Sequence, residues 1–150
     1  MTEQAASTGS HMEHLMDMEL ENRQGKGRIH LERAKIGDYL AGGEGAVFGS
    51  RLNGVILWDL YQEQGEFITG AQLRGTINTD DGSAVALEAI GHMIRPLSNQ
   101  PTLWFTAASV QFETTSRQYQ WLEGTLGILQ GKYDVAIGRH SFRVFILVFD

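Results

Sequence analysis

From His14 onwards, apolar and polar residues alternate along the chain. Met16, Met18 and Leu20 take turns with Asp17, Glu19 and Glu21, which is the period of a half-exposed strand. A polar turn from Glu21 to Gly27 leads to a second short strand around Ile29 to Leu31. Glycines 42, 43, 45, 49 and 54 are expected to bend the next stretch, which ends in a strand from Leu52 to Leu60. The clearest local signal is a hairpin from Leu73 to Met93. Its turn is Asp80-Asp81-Gly82, where glycine is free to take positive φ and aspartate can accept from nearby amides. Closing that loop on Thr79 and Ser83 sets Ile77 against Val85, Gly75 against Leu87 and Arg74 against Glu88. Leu73, Ile77, Val85, Leu87 and Ala89 then share one face, and Arg74, Thr76, Asn78 and Glu88 share the other. After a break from Arg95 to Pro101, two long strands, Leu103 to Thr114 and Tyr119 to Leu129, are joined by Thr115–Gln118. A last strand runs from about Ser141 to Phe149. Eight or nine strands, short turns, no amphipathic helix and no fixed repeat predict an all-β domain, either a closed antiparallel barrel or a sandwich.

The last strand is apolar on both sides, with Phe142, Val144, Ile146 and Val148 on one face and Phe145, Leu147 and Phe149 on the other. A small barrel covers only one of them. The outward side, Phe145 to Phe149, is therefore expected to be buried in a homo-oligomer.

With 150 residues the chain suits a single domain, and a domain of that length buries roughly 70% of the surface its unfolded chain exposes. Residues Met1 to Ser10 are small and polar, and Gly9-Ser10-His11-Met12 reads as the scar of a cleavable tag. Residues 1–12 are accordingly set aside as a disordered tail or tag remnant, and 13–150 as the domain. A formal charge of −6 argues against a nucleic-acid partner. The absence of cysteine excludes a disulfide framework, thiolate zinc and thiol catalysis. Val144 to Phe149, the longest apolar run, is far shorter than the ~20 residues that cross a bilayer. The N-terminus lacks a signal pattern, so a soluble cytoplasmic protein without a membrane partner is expected.

Several chemistries are missing: there is no Gly-x-Ser-x-Gly elbow, no His-Glu-x-x-His and no P-loop. Gly43-Glu44-Gly45 with Gly49 lacks the helix that a dinucleotide loop needs. Of the five histidines only His11 and His14 have ligand spacing, so no metal site is expected. The carboxylates say more. With Thr115–Gln118 as a loop, Phe112 pairs with Trp121, and Glu113 shares a face with Leu122, Leu126 and Ile128. Desolvation among aliphatic neighbours suits a carboxylate to exchange a proton near neutrality. A one-residue slip would instead make Glu113 a rim or surface residue. Arg74 and Glu88 form either a surface ion pair or, if their face lines the barrel, a pair that orients a ligand's polar group. Asp59 is a mouth-lining acid or a turn residue, and His92 and His140 are proton carriers or packed residues. Trp58, Trp104 and Trp121 belong to the core and become stacking walls if the lumen is open. Thr76, Ala84 and Ala86 are small, and small residues on a lumen face leave room for a ligand.

Gly45 to Gly49 with Leu52-Asn53-Gly54, then Asp59, Thr79-Asp80-Asp81-Gly82, Phe112-Glu113-Thr114 and Tyr119-Gln120-Trp121-Leu122 follow in an order that resembles the domain-of-unknown-function 3237 family. The similarity runs from about Glu13 to Phe149. It implies a small antiparallel barrel in the style of lipocalins and allene-oxide cyclases, without a general activity. It also implies that Asp59, Glu113, Tyr119 and Trp121 correspond to family positions. Val55-Ile56-Leu57-Trp58 is shorter than the pattern and lacks its glycines, and the segment before Leu103 is abbreviated, which points to a reshaped mouth.

Two functions follow, beside a third reading as a fully packed scaffold without a cavity, which the small residues Thr76, Ala84 and Ala86 disfavour. One is a cofactor-independent isomerase, cyclase or lyase acting on a small hydrophobic or aromatic carbonyl compound. In it Glu113 is the base, Asp59 or His92 its partner, and Arg74 or Tyr119 a donor to oxyanion charge, with Glu88, Trp58, Trp104 and Trp121 as further binding residues. The alternative is a carrier or sensor barrel that binds the same kind of molecule without chemistry.

Overall fold

In a computed structural model describing residues 9–23, 37–96 and 101–149, eight antiparallel strands close into a barrel. The strands are β1 (Ser10–Asn22), β2 (Asp38–Phe48), β3 (Gly54–Gln62), β4 (Ile68–Thr79), β5 (Ala84–Ile94), β6 (Leu103–Glu113), β7 (Gly127–Asp134) and β8 (Arg139–Phe149). Each strand pairs with its neighbour in sequence, and β8 returns to pair with β1. That closure decides for the barrel over the sandwich and leaves none of these eight strands as a sheet edge. Among the described residues no helix is long and apolar enough to cross a membrane.

Strand alternation selects the interior. Met16, Met18 and Leu20 of β1 and Ile56, Trp58 and Leu60 of β3 point inward and are buried. Eight strands leave an interior that side chains of this size can fill. Burying each large apolar side chain contributes about 1.5–3 kcal/mol. Trp58 is fully buried, and its indole N–H donates to the carbonyl of Glu44 at 3.2 Å.

The β4–β5 hairpin has the expected register, with Ile77 opposite Val85, Gly75 opposite Leu87 and Arg74 opposite Glu88. Gly82 takes φ 90° in the turn, and its N–H donates to Thr79 at 3.0 Å. Leu73, Ile77, Val85, Leu87 and Ala89 are buried on the inner face. Thr76, Ala84 and Ala86 therefore face outward and do not widen the lumen.

Other expectations are corrected. Gly42, Gly43 and Gly45 lie inside β2 and do not bend the chain. A Cβ on Gly43 would run into the carbonyl of Glu21, and one on Gly45 into Leu20, so glycine lets β1 and β2 meet closely. The strand expected around Ile29 to Leu31 lies outside the described residues. β1 begins at Ser10, paired with Phe149, so part of the stretch set aside as a tail is strand. The predicted pairing of Leu103–Thr114 with Tyr119–Leu129 does not form. β6 ends at Glu113, a 3-10 helix spans Arg117–Gly124, and β7 then pairs Gly127 with Val110. Tyr119 and Leu122, three residues apart as a 3-10 turn requires, bury themselves together at that end of the core.

Candidate functional site

Three of the residues singled out in the sequence meet on the outside of the barrel. Asp59, Arg74 and Glu88 stand in register across β3, β4 and β5, on the face opposite Trp58 and Leu60. Arg74 Nε lies 3.7 Å from Glu88 Oε2, which also accepts from Gln72 Nε2 at 2.8 Å. Asp59 and Gln72 are fully buried on this outward face. Glu113, opposite Ala86 at the end of β6, is exposed. Arg74, Glu88 and Glu113 line a hollow of 290 Å³ with Thr76, Ala86 and Gln111. Leu122 lies on the 3-10 helix and Leu126 precedes β7, because the connection is a helix and not a tight turn. Ile128, opposite Ser109, does share the outward face with Glu113, but both are exposed, so the expected desolvation of Glu113 among aliphatic neighbours does not occur.

The other candidates are scattered. His92 is exposed on the outer face of β5. Tyr119 sits on the 3-10 helix and donates its hydroxyl to Asp81 at 2.7 Å. Asp81 also accepts from Thr79 and Gln118, and these bonds hold its carboxyl below the usual range, the Thr79 bond most of all. The bond to Asp81 in turn raises the Tyr119 phenol. Trp121 is half-buried on the same helix, with the Arg51 guanidinium 4.1 Å over its ring. Trp58 is in the core, and Trp104 is half-buried on the inner face near the opposite end of the barrel. Asp59, Glu113 and Trp121 thus do not converge on one enclosed cavity.

The interior itself is uneven. Towards the 3-10 helix it is largely apolar, with Met16, Ile56, Ile77, Val85, Val110 and Ile146 beside Phe112 and Tyr119. Towards the other end it carries Trp104, Thr106, Tyr133 and His140, with Asn22 exposed at the end of β1 beside them. The His140 ring stacks on Tyr133 with centroids 3.9 Å apart and meets Trp58 edge-on at 4.9 Å. His140 Nε2 lies 3.1 Å from Asn22 Oδ1, while Asn22 Nδ2 donates to the Tyr133 hydroxyl at 2.9 Å. Burial pushes His140 down to about 3, so the imidazole is neutral at neutral pH. Among the described residues, His140 Nδ1 and Thr106 Oγ1 are buried without a hydrogen-bond partner.

A hollow of 450 Å³ opens at this end, lined by Tyr39, Leu40, Gln62, Glu63 and Trp104 among others. Trp104 is the cross-strand partner of Tyr133, which is the partner of His140, so the hollow opens on the same row of the barrel as the buried imidazole, which does not itself line it. A wider outward groove of 600 Å³ lies between charges that already pair, such as Arg143 with Asp17 at 3.6 Å. Among the described residues no three His, Asp or Glu side chains cluster as a metal site would require.

Sequence reading named His140 only in passing, and did not name Asn22, Thr106 or Tyr133. A signal was present: His140 stands two residues before Phe142 and four before Val144, on the inward side of β8. What it lacked was a partner. Asn22 is 118 residues away, and only closure of β8 on β1 brings the two together.

No family model and no curated protein matches the chain. Solved structures do. A β-barrel-like protein from Acinetobacter baumannii, ABAYE2633, is 18% identical with a TM-score of 0.73, covering 93% of this chain and 96% of its own. A protein of unknown function from Clostridium acetobutylicum is 16% identical with a TM-score of 0.70, covering 93% and 99%. An enzyme from Penicillium herquei is 15% identical with a TM-score of 0.56, covering 92% and 96%. At these identities the likeness is one of fold.

Proposed function

We propose that the protein is a small-molecule-binding barrel whose ligand enters at the end bearing Tyr39, Gln62 and Trp104 and is read by Tyr133 and His140. One observation carries this reading: His140, Tyr133, Thr106 and Trp104 gather at one end of the interior, and Trp104 also lines an open hollow. The partner expected from such walls is a small hydrophobic or aromatic compound. Binding without chemistry is preferred over a cofactor-independent isomerase, cyclase or lyase. A general acid and base must reach the same substrate atoms, and Glu113, Asp59 and His92 stand on the outward face of three different strands. The resemblance to the domain-of-unknown-function 3237 family belongs to the same proposal and supplies no activity of its own.

Titration of the isotope-labelled protein with the one-ring aromatics phenol, anisole and benzaldehyde tests it. Saturable shifts at Trp104, Tyr133 and Asn22 are expected, unchanged in Glu113→Gln and Asp59→Asn. Shifts confined to the outer face, or none with any probe, would overturn the reading.

A further inference from the structure

The hydrogen bonds around His140 determine which ring nitrogen is free. Asn22 Nδ2 donates to the Tyr133 hydroxyl, which turns Oδ1 of the same amide towards His140 Nε2. With the amide in this orientation its carbonyl oxygen only accepts, and Nε2 carries the proton. A neutral imidazole has one N–H, and Nδ1 is therefore a bare acceptor. That lone pair is buried, as is Thr106 Oγ1, and neither has a partner among the described residues. A polar atom left in that condition calls for a donor.

The surroundings narrow the donor's chemistry. Among the described residues the buried polar and charged side chains include no lysine or arginine, so a carboxylate or phosphate would meet no countercharge from them in the interior. An acceptor-only group such as an ether or ketone would meet Nδ1 lone pair to lone pair. The walls are flat: Tyr133 stacks on the imidazole, Trp58 meets its edge, and Phe142 lies with its centroid 5.5 Å away.

Resting on the binding reading above, we infer that the ligand is a neutral flat hydroxyl compound, a phenol or an enol, whose O–H is accepted by His140 Nδ1. Asn22 is then a positioning residue that holds the tautomer, and Thr106 is a second polar contact.

Comparing phenol with anisole, its methyl ether, isolates that one hydrogen bond. Phenol is expected to bind at least about tenfold more tightly than anisole, the usual cost of leaving a buried acceptor unpaired. It should shift the His140 Nδ1 resonance while anisole does not, and His140→Phe should make the two affinities equal. Equal affinities in the unaltered protein with Nδ1 unmoved would overturn the hydroxyl inference and leave the binding reading standing. No saturable shift with either probe would overturn both. If His140→Phe does not fold, the tautomer still decides: a proton on Nδ1 of the free protein at neutral pH overturns the inference.

Discussion

At position 140 the alternation of β8 puts an imidazole where Phe142, Val144 and Ile146 put hydrocarbon, and the consequences are measurable. Its ionisation in the folded protein is pushed from 6.5 to about 3 by burial. The unfolded chain therefore takes up the proton first. The stability tied to neutral His140 is fully present above pH 6.5 and is lost as the pH falls towards 3, with a slope of up to about 1.4 kcal/mol per pH unit. Urea unfolding across that window should show the slope, and His140→Gln should flatten it. Trp58 supplies a second residue-scale expectation. Trp58→Ala should cost about 3–5 kcal/mol by the same measurement, because a fully buried indole leaves a cavity that a closed barrel cannot collapse to fill. That His140 shares a face with Phe142 and Val144, and Trp58 with Ile56 and Leu60, is readable from strand period. The Asn22 contact that sets the tautomer is not, because it depends on a pairing between the two ends of the chain.

Among the elements, the 3-10 helix from Arg117 to Gly124 is the least expected and the most exposed to solution conditions. Asp81 in the β4–β5 turn accepts from Thr79, Tyr119 and Gln118, and its depressed ionisation carries a sign. The stability that these bonds give is present above the unfolded carboxylate value near 4 and disappears as the pH falls through the lower folded value. Acidification below about pH 4 should loosen the helix, read as a change in Trp121 fluorescence once Arg51 loses its place over the ring. Asp81→Asn should produce the same change at neutral pH, and an unchanged spectrum would sink the idea. The glycines of β2 give a second test at this scale. Gly43→Ala should destabilise by about 1–3 kcal/mol, since the added methyl meets the Glu21 carbonyl of the facing strand. The Asp80-Asp81-Gly82 turn was legible because its chemistry is local. The helix was not, because Tyr119 and Trp121 fit the period of a strand as well as Tyr119 and Leu122 fit a 3-10 turn, and only the open end of the barrel favours the second.

For the whole molecule, closure accounts for the hydrogen bonds of every strand but leaves apolar side chains outside. Met12 is 43%, Leu126 44%, Ile128 40% and Phe149 74% exposed, and they surround the outward side chains of Phe145 and Leu147. We propose that a second copy of this chain covers that face, as the double-sided apolar pattern of the last strand suggests. Sedimentation at micromolar concentration should show an oligomer, and Leu147→Asp should yield a folded monomer; a monomeric unaltered protein would refute the proposal. Sequence alone determined that the chain is β, that β8 is apolar on both faces and that Ile77 opposes Val85, because strand period and turn chemistry act between residues near one another. Only the tertiary structure decided which face is inside, since a strand pattern reads the same from either side until the sheet closes. Closure sent Glu113 and Asp59 outward with the arginine and glutamate of the hairpin. It also brought Asn22, Tyr133 and His140 together from the first strand and the last two, so that the polar end of the interior exists only in the finished barrel.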